Sequence, residues 1–421
     1  MSPLNRREFL GQLSAAAVAG TEAMRLPVSD AGPKRVAAIV THYTHNSHAD
    51  VLVSRLLQGF HLDFQPPRPN LQLVGLYTDQ VPKNDISREL SGKHGFPIFP
   101  TIAETLTLGG KELAVDGVLL IGEHGDYPLT DTEQIAYPRR RFFEETANVF
   151  RRTGRSVPVF NDKHLSWNWE DAHWMAETAR ELKAPFMAGS SVPGTWRHPP
   201  RDMRLGVHAR EAVGLSFGPL EGYGYHGLEA LQSIAERRSG GETGVKAVQF
   251  VSGDRVWQAG AQGRFDLQVF EAAAQAREAK GRFQGSLKEA LKPVAFFIEY
   301  LDGFKAVLIH DTGAANSEWV TAWREEGART CQATTHYTQE ARPFGHFTFL
   351  LQGIERMIFT GKPTWPVERT LLVTGMLAAG FQSRKQDEAR IETPYLSIRY
   401  RPTFAWKPPP APPPDRPIDG Q

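Results

Sequence analysis

KRVAAIVTHYTHNSHADVLVSRLLQ, residues 34–58, begins as a strand and ends as a helix. Residues 34–41 are a run of β-branched and small apolar side chains, which is typical of a buried strand. From Ser47 to Gln58 the apolar residues recur at helical spacing, behind a serine that can cap the helix. This order predicts the opening βα unit of a parallel sheet.

The same alternation continues to residue 192 and predicts a Rossmann-like, doubly wound parallel sheet of the α/β class. In such a sheet the ligand crevice lies at the carboxyl ends of the strands. We therefore expect a dinucleotide-binding domain at residues 34–192. The further predicted elements are strands at 71–78, 116–122, 157–161 and 185–192, a short element at 97–100, and helices that begin near Thr101, at Arg139 and behind a Ser166 cap.

The second half of the chain changes to long β-rich runs. Residues 245–257 and 293–310 contain glycine-bearing turns between strand-like stretches, as antiparallel strands do. Two helical patterns follow, at 347–359 and 367–382. We predict an α+β domain at residues 193–400, built on a large, mostly antiparallel open sheet.

Composition favours a globular protein and excludes several classes of function. Of the 421 residues, 41% are hydrophobic, which is enough for a sizeable core in each of two domains. The 48 basic and 47 acidic residues nearly cancel, which argues against a nucleic-acid partner. Cys331 is the single cysteine, so an internal disulfide and a cysteine-rich metal site are excluded. Seven prolines between residues 408 and 417 predict an extended, disordered tail at 401–421.

The N-terminal residues are similar to an export address. Asn5-Arg6-Arg7-Glu8-Phe9-Leu10 precedes an alanine-rich stretch that is too short to span a membrane. Paired arginines before a weakly hydrophobic stretch resemble the twin-arginine translocation (Tat) signal, which implies export of the already folded protein. We expect residues 1–33 to be signal and linker, and the protein to be periplasmic or otherwise extracytoplasmic with no membrane anchor. A disordered basic leader is the alternative.

Three segments of the chain match the pattern of one enzyme family. Residues 158–166 read PVFNDKHLS, residues 223–231 read YGYHGLEAL, and residues 360–384 hold a closing pair of helices. Together they resemble the Gfo/Idh/MocA family of NAD(P)-dependent sugar and cyclitol oxidoreductases. Lys163 occupies the lysine position of the family's Glu-Lys-Pro strand end, and His226 occupies its histidine position.

The resemblance implies that Lys163 and His226 are the catalytic residues. An imidazole with an ordinary pKa of about 6.5 suits the acceptance of a hydroxyl proton, and a lysine ammonium stabilises the developing alkoxide or carbonyl. The resemblance also implies a tightly bound NAD or NADP, a small carbohydrate or cyclitol substrate, and a homo-oligomer formed through the C-terminal sheet. Because an exported cofactor finds no pool for exchange, we expect a redox-neutral cycle.

The turn after the first strand departs from the family, because it contains no glycine where GxGxxG is usual. We expect the side chains of Thr41, Asn46, Ser47 and His48 to contact the cofactor in place of those glycines. The missing glycines leave a cofactor-free, carbohydrate-binding relative as an alternative.

Two further departures surround the catalytic pair. Asp162 and His164 flank Lys163 where the family has glutamate and proline. Gly222 stands four residues before His226, where many members have aspartate, and Glu221 lies beside it. The resemblance therefore predicts a proton relay that is rewired or absent.

Polar and aromatic residues near the predicted strand ends complete the candidate site. Asp79 follows the second strand and is the candidate for binding the cofactor ribose. The remaining candidates are Glu123 and His124 for the cofactor, and Asp126, Tyr225 and Trp196 for the substrate.

Histidines near the same strand ends suggest one more alternative. His42, His45, His48 and His124, with Glu123 or Asp126, could form the metal centre of a hydrolase or lyase. No recognised ligand spacing supports this hypothesis, and we assign no metal ligand.

Overall fold

The structure is a computed structural model, and it describes residues 32–62, 67–278, 286–339 and 341–411. Its first five strands form a parallel sheet in the order β2-β1-β3-β4-β5, as predicted. The elements are strands β1 Lys34–Val40, β2 Leu71–Thr78, β3 Gly117–Ile121, β4 Val159–Asp162 and β5 Phe186–Gly189, with helices α1 His48–Gln58, α2 Ser87–His94, α3 Ile102–Thr107, α4 Arg139–Thr153 and α5 Trp169–Glu181.

The second sheet is larger and mostly antiparallel, which confirms the predicted α+β architecture. Its strand order is β13-β8-β9-β10-β7-β11-β12-β6, and the β7–β10 pair is parallel. The elements are strands β6 Trp196–His198, β7 Ala209–Phe217, β8 Val245–Ser252, β9 Pro293–Tyr300, β10 Lys305–Asp311, β11 Trp319–Glu325, β12 Gln332–Tyr337 and β13 Ile391–Glu392, with helices α6 Leu220–Ala235, α7 Asp254–Ala261, α8 Leu267–Glu278, α9 Leu287–Ala290, α10 His346–Thr360 and α11 Val367–Lys385.

Apolar residues on both faces of β1 explain why it is an inner strand of the first sheet. Val36, Ala38 and Val40 pack in one cluster with α1 and α10. Ala37 and Ile39 alternate with them and pack in a second cluster with α3, α4 and α5. Helices on both faces make the sheet doubly wound, and the carboxyl end of β1 therefore lies beside that of β3.

The C-terminal helices join the two sheets. Helix α10 belongs to the core of the first sheet, whereas α11 packs on β8 and α6 as well as on α5. Helices α7 and α8 cover the face of the second sheet that is opposite to α6. Association of chains through that sheet stays a prediction. In the described parts of the chain no helix is long and apolar enough to cross a membrane.

Two predicted strands are corrected by the structure. Residues 97–100 form no strand, and only an isolated bridge links Ile98 to Leu76. Residues 254–257 do not extend β8, because Gly253 adopts a left-handed φ of 63° and the chain enters α7. Val256 of that helix is buried in the cluster on the outer face of the second sheet.

The predicted cap of α5 and the predicted tail are also corrected. Asn168, rather than Ser166, caps α5, since its Oδ1 accepts from the Asp171 N–H at 2.7 Å. Residues 401–411 have no regular structure, but they make contacts: the Trp406 indole donates to the Thr195 carbonyl at 2.8 Å, and the Arg197 guanidinium lies 4.6 Å from its ring centroid. The rest of the predicted tail, and residues 1–31 with the predicted Tat motif, lie outside the described residues.

Candidate functional site

A cleft of about 560 Å³ lies between the carboxyl ends of β1, β3 and β4 and the second domain. It is the size of a small-molecule site. Six of the residues that the sequence nominates line it together: Asn46, His48, Glu123, His124, Lys163 and His226.

Lys163 follows β4 directly and is held there by an unusual backbone. Its φ is +60°, in the left-handed region that a lysine rarely adopts, and its N–H donates to the Gly189 carbonyl at 3.0 Å. Backbone strain of this kind concentrates at functional sites. The turn aims the buried ammonium into the cleft, where Nζ lies 2.8 Å from Glu123 Oε1.

Glu123 is clamped between two cations. Its other oxygen, Oε2, accepts from Arg139 Nη2 at 2.6 Å, and the same guanidinium lies 3.0 Å from His164 Nε2. Burial alone would raise the pKa of Glu123, but Lys163 and Arg139 hold it well below the usual value. The carboxylate is therefore ionised near neutral pH, and it fixes the position of the Lys163 ammonium.

His226 lies on the first half of α6, against Trp319 and Tyr223. Its Nδ1 is buried and has no hydrogen-bond partner among the described residues, so Nε2 is the ring nitrogen left for a ligand in the cleft. Burial, and then the Lys163 ammonium, lower the pKa of His226 well below its usual value. The imidazole is therefore neutral near pH 7 and able to accept a proton.

The first turn of α6 lies beside the Lys163 ammonium. A Cβ placed on Gly222 would lie 3.6 Å from Lys163 Nζ. Glu221, beside that glycine, does not serve His226: its carboxylate accepts from the Ile135 N–H at 2.9 Å and lies 3.5 Å from His164 Nε2. The acid of this turn thus lies beside His164, and the rewired or absent relay stays a prediction.

In the turn between β1 and α1, backbone N–H groups donate to side chains of the same turn and of α1. The Thr44 N–H donates to Ser47 Oγ at 3.2 Å, and the Asn46 N–H donates to Asp50 Oδ2 at 2.9 Å. Asp50 is 1% exposed and also accepts from Arg342 Nη1 at 2.9 Å. A carboxylate therefore already lies at the N-terminus of α1, where a GxGxxG turn would hold a pyrophosphate. This turn does not fit a pyrophosphate in that manner.

Asp79 lies where a ribose-binding acid is expected, after β2, but its carboxylate is already engaged. Oδ1 accepts from the Tyr77 hydroxyl at 2.7 Å and from Arg141, and Oδ2 accepts from the Tyr127 hydroxyl at 2.8 Å. These donors outweigh the effect of burial and lower the pKa of Asp79. A ribose would have to replace one of them.

Two more of the predicted cofactor residues lie beneath the cleft. Thr41 is fully buried and donates from Oγ1 to the Glu123 carbonyl at 2.6 Å, which joins the ends of β1 and β3. Ser47 caps α1 by accepting from the Asp50 N–H. Both residues shape the site without lining it.

The three predicted substrate residues are not among those lining the cleft, and their assignment to the substrate stays a prediction. Asp126 is exposed on a loop, where its backbone bonds to the Gln80 side chain. Tyr225 is fully buried in the core of the second domain. Trp196 donates to the Pro410 carbonyl and packs on Phe349.

Sequence reasoning missed other residues of the cleft. Trp319 from β11 and His346 from α10 line it, and no local motif marks either of them. Asp162 is buried behind the cleft rather than on its lining, but its place at the end of β4 is a signal for function. Its Oδ2 lies 2.6 Å from His48 Nδ1.

The histidines do not gather as metal ligands. His42 and His124 stack with ring centroids 5.8 Å apart. Over the described ranges, no group of three or more histidine, cysteine, aspartate or glutamate residues has the geometry to hold a metal ion. Burial, and then His48, lower the pKa of His124 to about 3.

No protein-family model and no curated protein match the sequence. Solved structures match at low identity. GenD2 from gentamicin A biosynthesis, in complex with NAD, has a TM-score of 0.55 at 12% identity, over 87% of this chain and 99% of that one. A putative myo-inositol dehydrogenase from Sinorhizobium meliloti 1021 scores 0.53 at 12% identity, over 85% and 99%. Myo-inositol dehydrogenase from Lactobacillus casei, with NAD(H) and myo-inositol, scores 0.51 at 10% identity, over 86% and 96%.

These likenesses define the class of scaffold. The chain has the two-domain fold of Gfo/Idh/MocA-type dehydrogenases, with a parallel sheet followed by a larger, mostly antiparallel one. The resemblance that the sequence motifs carry is thereby supported at the level of the fold.

Proposed function

We propose that the protein is an oxidoreductase that acts on a CH–OH group of a sugar, sugar derivative or cyclitol with an NAD-type cofactor. One observation carries the proposal: Lys163 and His226, from separate domains, converge on one cleft at the carboxyl ends of the parallel strands. Solved structures with this fold include complexes described with NAD and with myo-inositol.

The two residues divide the work at the reacting carbon. His226 Nε2 accepts the proton of the substrate hydroxyl, because its lowered pKa keeps the ring neutral. The Lys163 ammonium, fixed by Glu123, stabilises the oxygen as negative charge develops. Trp319 and Phe347 line the same cleft and exclude water from it. A bound nicotinamide would supply the hydride acceptor.

Asp50 favours a second candidate, a cofactor-free protein that binds a carbohydrate in the same cleft. Its carboxylate lies at the N-terminus of α1 and repels a pyrophosphate, and the ribose position at Asp79 is engaged as well.

Binding of the cofactor separates the two candidates. We expect native mass spectrometry of protein recovered from the exported fraction to show one NAD or NADP per subunit, with a matching nicotinamide absorbance. Cofactor-free protein that also takes up no dinucleotide in calorimetry would contradict the oxidoreductase and favour the carbohydrate-binding protein. Recovery of the protein only from the cytoplasm would contradict the proposed Tat export and redox-neutral cycle, which rest on the N-terminal motif.

Substitution of Asp50→Asn is expected to tighten NAD binding about tenfold, because it removes a negative charge beside the pyrophosphate while keeping an acceptor for the Asn46 N–H. Isothermal titration calorimetry measures the change. The matched control is Asp116→Asn, since Asp116 precedes β3 at the amino end of the strand, away from the cleft, and its replacement should leave affinity unchanged. Equal affinities in wild type and Asp50→Asn would show that Asp50 does not face the dinucleotide.

A further inference from the structure

His48 and Asp162 form a pair whose chemistry the proposed hydroxyl oxidation does not use. His48 Nδ1 lies 2.6 Å from Asp162 Oδ2, and the imidazole must donate because an ionised carboxylate only accepts. The Asp162 side chain is fully buried, whereas that of His48 is 15% exposed and lines the cleft. This arrangement directs the basic nitrogen, Nε2, towards the cleft.

The surroundings of the pair hold the imidazole in one orientation. Its ring lies edge-on to Phe347 with centroids 5.2 Å apart, and the His124 ring lies 5.2 Å away on a tilted plane. Nε2 forms no hydrogen bond with any described residue. A buried carboxylate that orients a histidine, with the second ring nitrogen open to a cavity, is the arrangement of a general base.

The pair also shares a strand end with the catalytic lysine. Asp162 is the last residue of β4, and Lys163 follows it directly. The carboxylate that orients His48 and the lysine that carries the ammonium are therefore neighbours in the chain. His48, Lys163 and His226 all line the same cleft. The cleft therefore contains the His48 imidazole, the His226 imidazole and the Lys163 ammonium, beside the rings of His124, His164 and His346.

We propose that His48, oriented by Asp162, is a second proton-transfer residue, which removes and returns a proton at a carbon next to the carbonyl of a cyclitol or sugar ketone. The proposal rests on the proposed function for the ring substrate and for Lys163. His226 and Lys163 serve the oxygen-bearing carbon, and His48 serves the carbon beside it. The protein would thus exchange or epimerise that centre in addition to interconverting the alcohol and the ketone.

The step balances without an oxidant. The C–H bond breaks, and its proton moves to His48 Nε2. The electron pair forms the enolate, whose oxygen is stabilised by the Lys163 ammonium. Return of a proton to the same carbon restores the ketone, with the same or the opposite configuration. In D2O the returning proton is replaced by deuterium.

The test uses scyllo-inosose, the ketone of myo-inositol, with the purified full chain and no added nicotinamide. Deuterium incorporation beside the carbonyl is followed by NMR in D2O, and binding of the probe is measured by saturation-transfer NMR. We expect wild type to catalyse exchange and His48→Gln to lose it at least about 100-fold with the probe still bound. Asp162→Asn should lower the maximal rate while leaving the probe concentration for half-saturation unchanged, which a merely structural role would not produce.

A matched control is His173→Gln. His173 lies on α5 with its ring 3.7 Å from Glu177, so it is also an imidazole beside a carboxylate, but it is half exposed and away from the cleft. Exchange at the wild-type rate in both His48→Gln and Asp162→Asn would overturn the inference. Binding of the ketone without exchange by wild type would overturn it alone. Failure of the ketone to bind would overturn the proposed function together with it.

Discussion

Lys163→Met is expected to lower the oxidation of a sugar or cyclitol about 1000-fold, with binding of the ring largely kept. The substitution retains the length of the side chain and removes the one ammonium that Glu123 fixes in the cleft. Loss of a preorganised charge at a developing alkoxide has an effect of about this size. The measurement is the rate of NADH formation with myo-inositol, beside saturation-transfer NMR of the inositol.

Glu123 keeps a charged partner when Lys163 is replaced, so the substitution should not disrupt the fold. Its second oxygen stays paired with Arg139 at 2.6 Å, so no buried carboxylate is left alone. The pKa of Glu123 should rise when Lys163 is replaced, because one of the two cations that lower it is gone.

Lys183→Met is the matched control for this experiment. Lys183 also has a left-handed φ, of 51°, but lies exposed after α5. Replacement of Lys183 shows whether loss of a lysine from a left-handed backbone position outside the cleft affects the rate of oxidation. Equal rates for Lys163→Met and wild type would contradict a catalytic role for the ammonium.

The proposed catalytic pair was accessible to sequence reasoning, Lys163 through topology and His226 through the family resemblance. A lysine directly after a buried strand of a parallel sheet must lie at the carboxyl edge, where the ligand crevice forms. The alternation of apolar strands and helices over residues 34–192 was enough to predict that sheet. The roles of Lys163 and His226 remain proposals, but their meeting in one cleft is a structural fact.

The direction of side chains was less accessible. Tyr225 and His226 are neighbours on α6, and successive residues of a helix point about 100° apart. Because His226 faces the cleft, Tyr225 turns into the core of the second domain. The sequence motif alone predicts both residues for the site. Helix geometry allows only one of the two side chains to face the cleft.

Contacts between distant segments were not accessible at all. Arg342 reaches Asp50 from 292 positions away, and His48 meets Asp162 across 114 positions. Neither pair has a local signal. The contact of Arg342 with the turn before α1 and the His48–Asp162 pair can therefore be seen only in the folded structure.

Glu229→Gln is expected to remove a pH dependence of stability worth about 3 kcal/mol. Glu229 is fully buried on α6, where its Oε2 accepts from the Ser190 N–H at 2.9 Å and from the Ser190 hydroxyl at 2.6 Å. Its Oε1 packs against Gly189 and has no hydrogen-bond partner in the described residues. Burial raises the pKa of Glu229 to about 7, from a usual value of 4.5.

The sign follows from where the proton is bound. Between pH 4.5 and about 7 the folded protein holds a proton on Glu229 that the unfolded chain has released. The contribution of Glu229 to stability is therefore complete below pH 4.5 and is lost as the pH rises through about 7. At about 1.4 kcal/mol per pKa unit, this interval gives the expected size.

Buried histidines change the stability in the opposite direction as the pH rises. Their effect must be separated from that of Glu229. Burial lowers the pKa of His226, His336 and His346 well below 6.5, so their contribution to stability is lost as the pH falls below 6.5. These contributions are common to wild type and Glu229→Gln. They cancel in the difference between the two free energies of unfolding, measured in urea at pH 5 and at pH 8.

That difference should change by about 2.5 kcal/mol between the two pH values, in favour of Glu229→Gln at pH 8, since part of the effect is already present at pH 5. The control is Glu144→Gln, because Glu144 is half exposed on α4 beside Arg140, whose guanidinium stays charged at both pH values, so the difference should be constant. A constant difference for Glu229→Gln would mean that Glu229 is ionised in the folded protein. The carboxylate beside Gly189 would then add a negative charge behind the turn that holds Lys163, and the electrostatics of the cleft would have to include it.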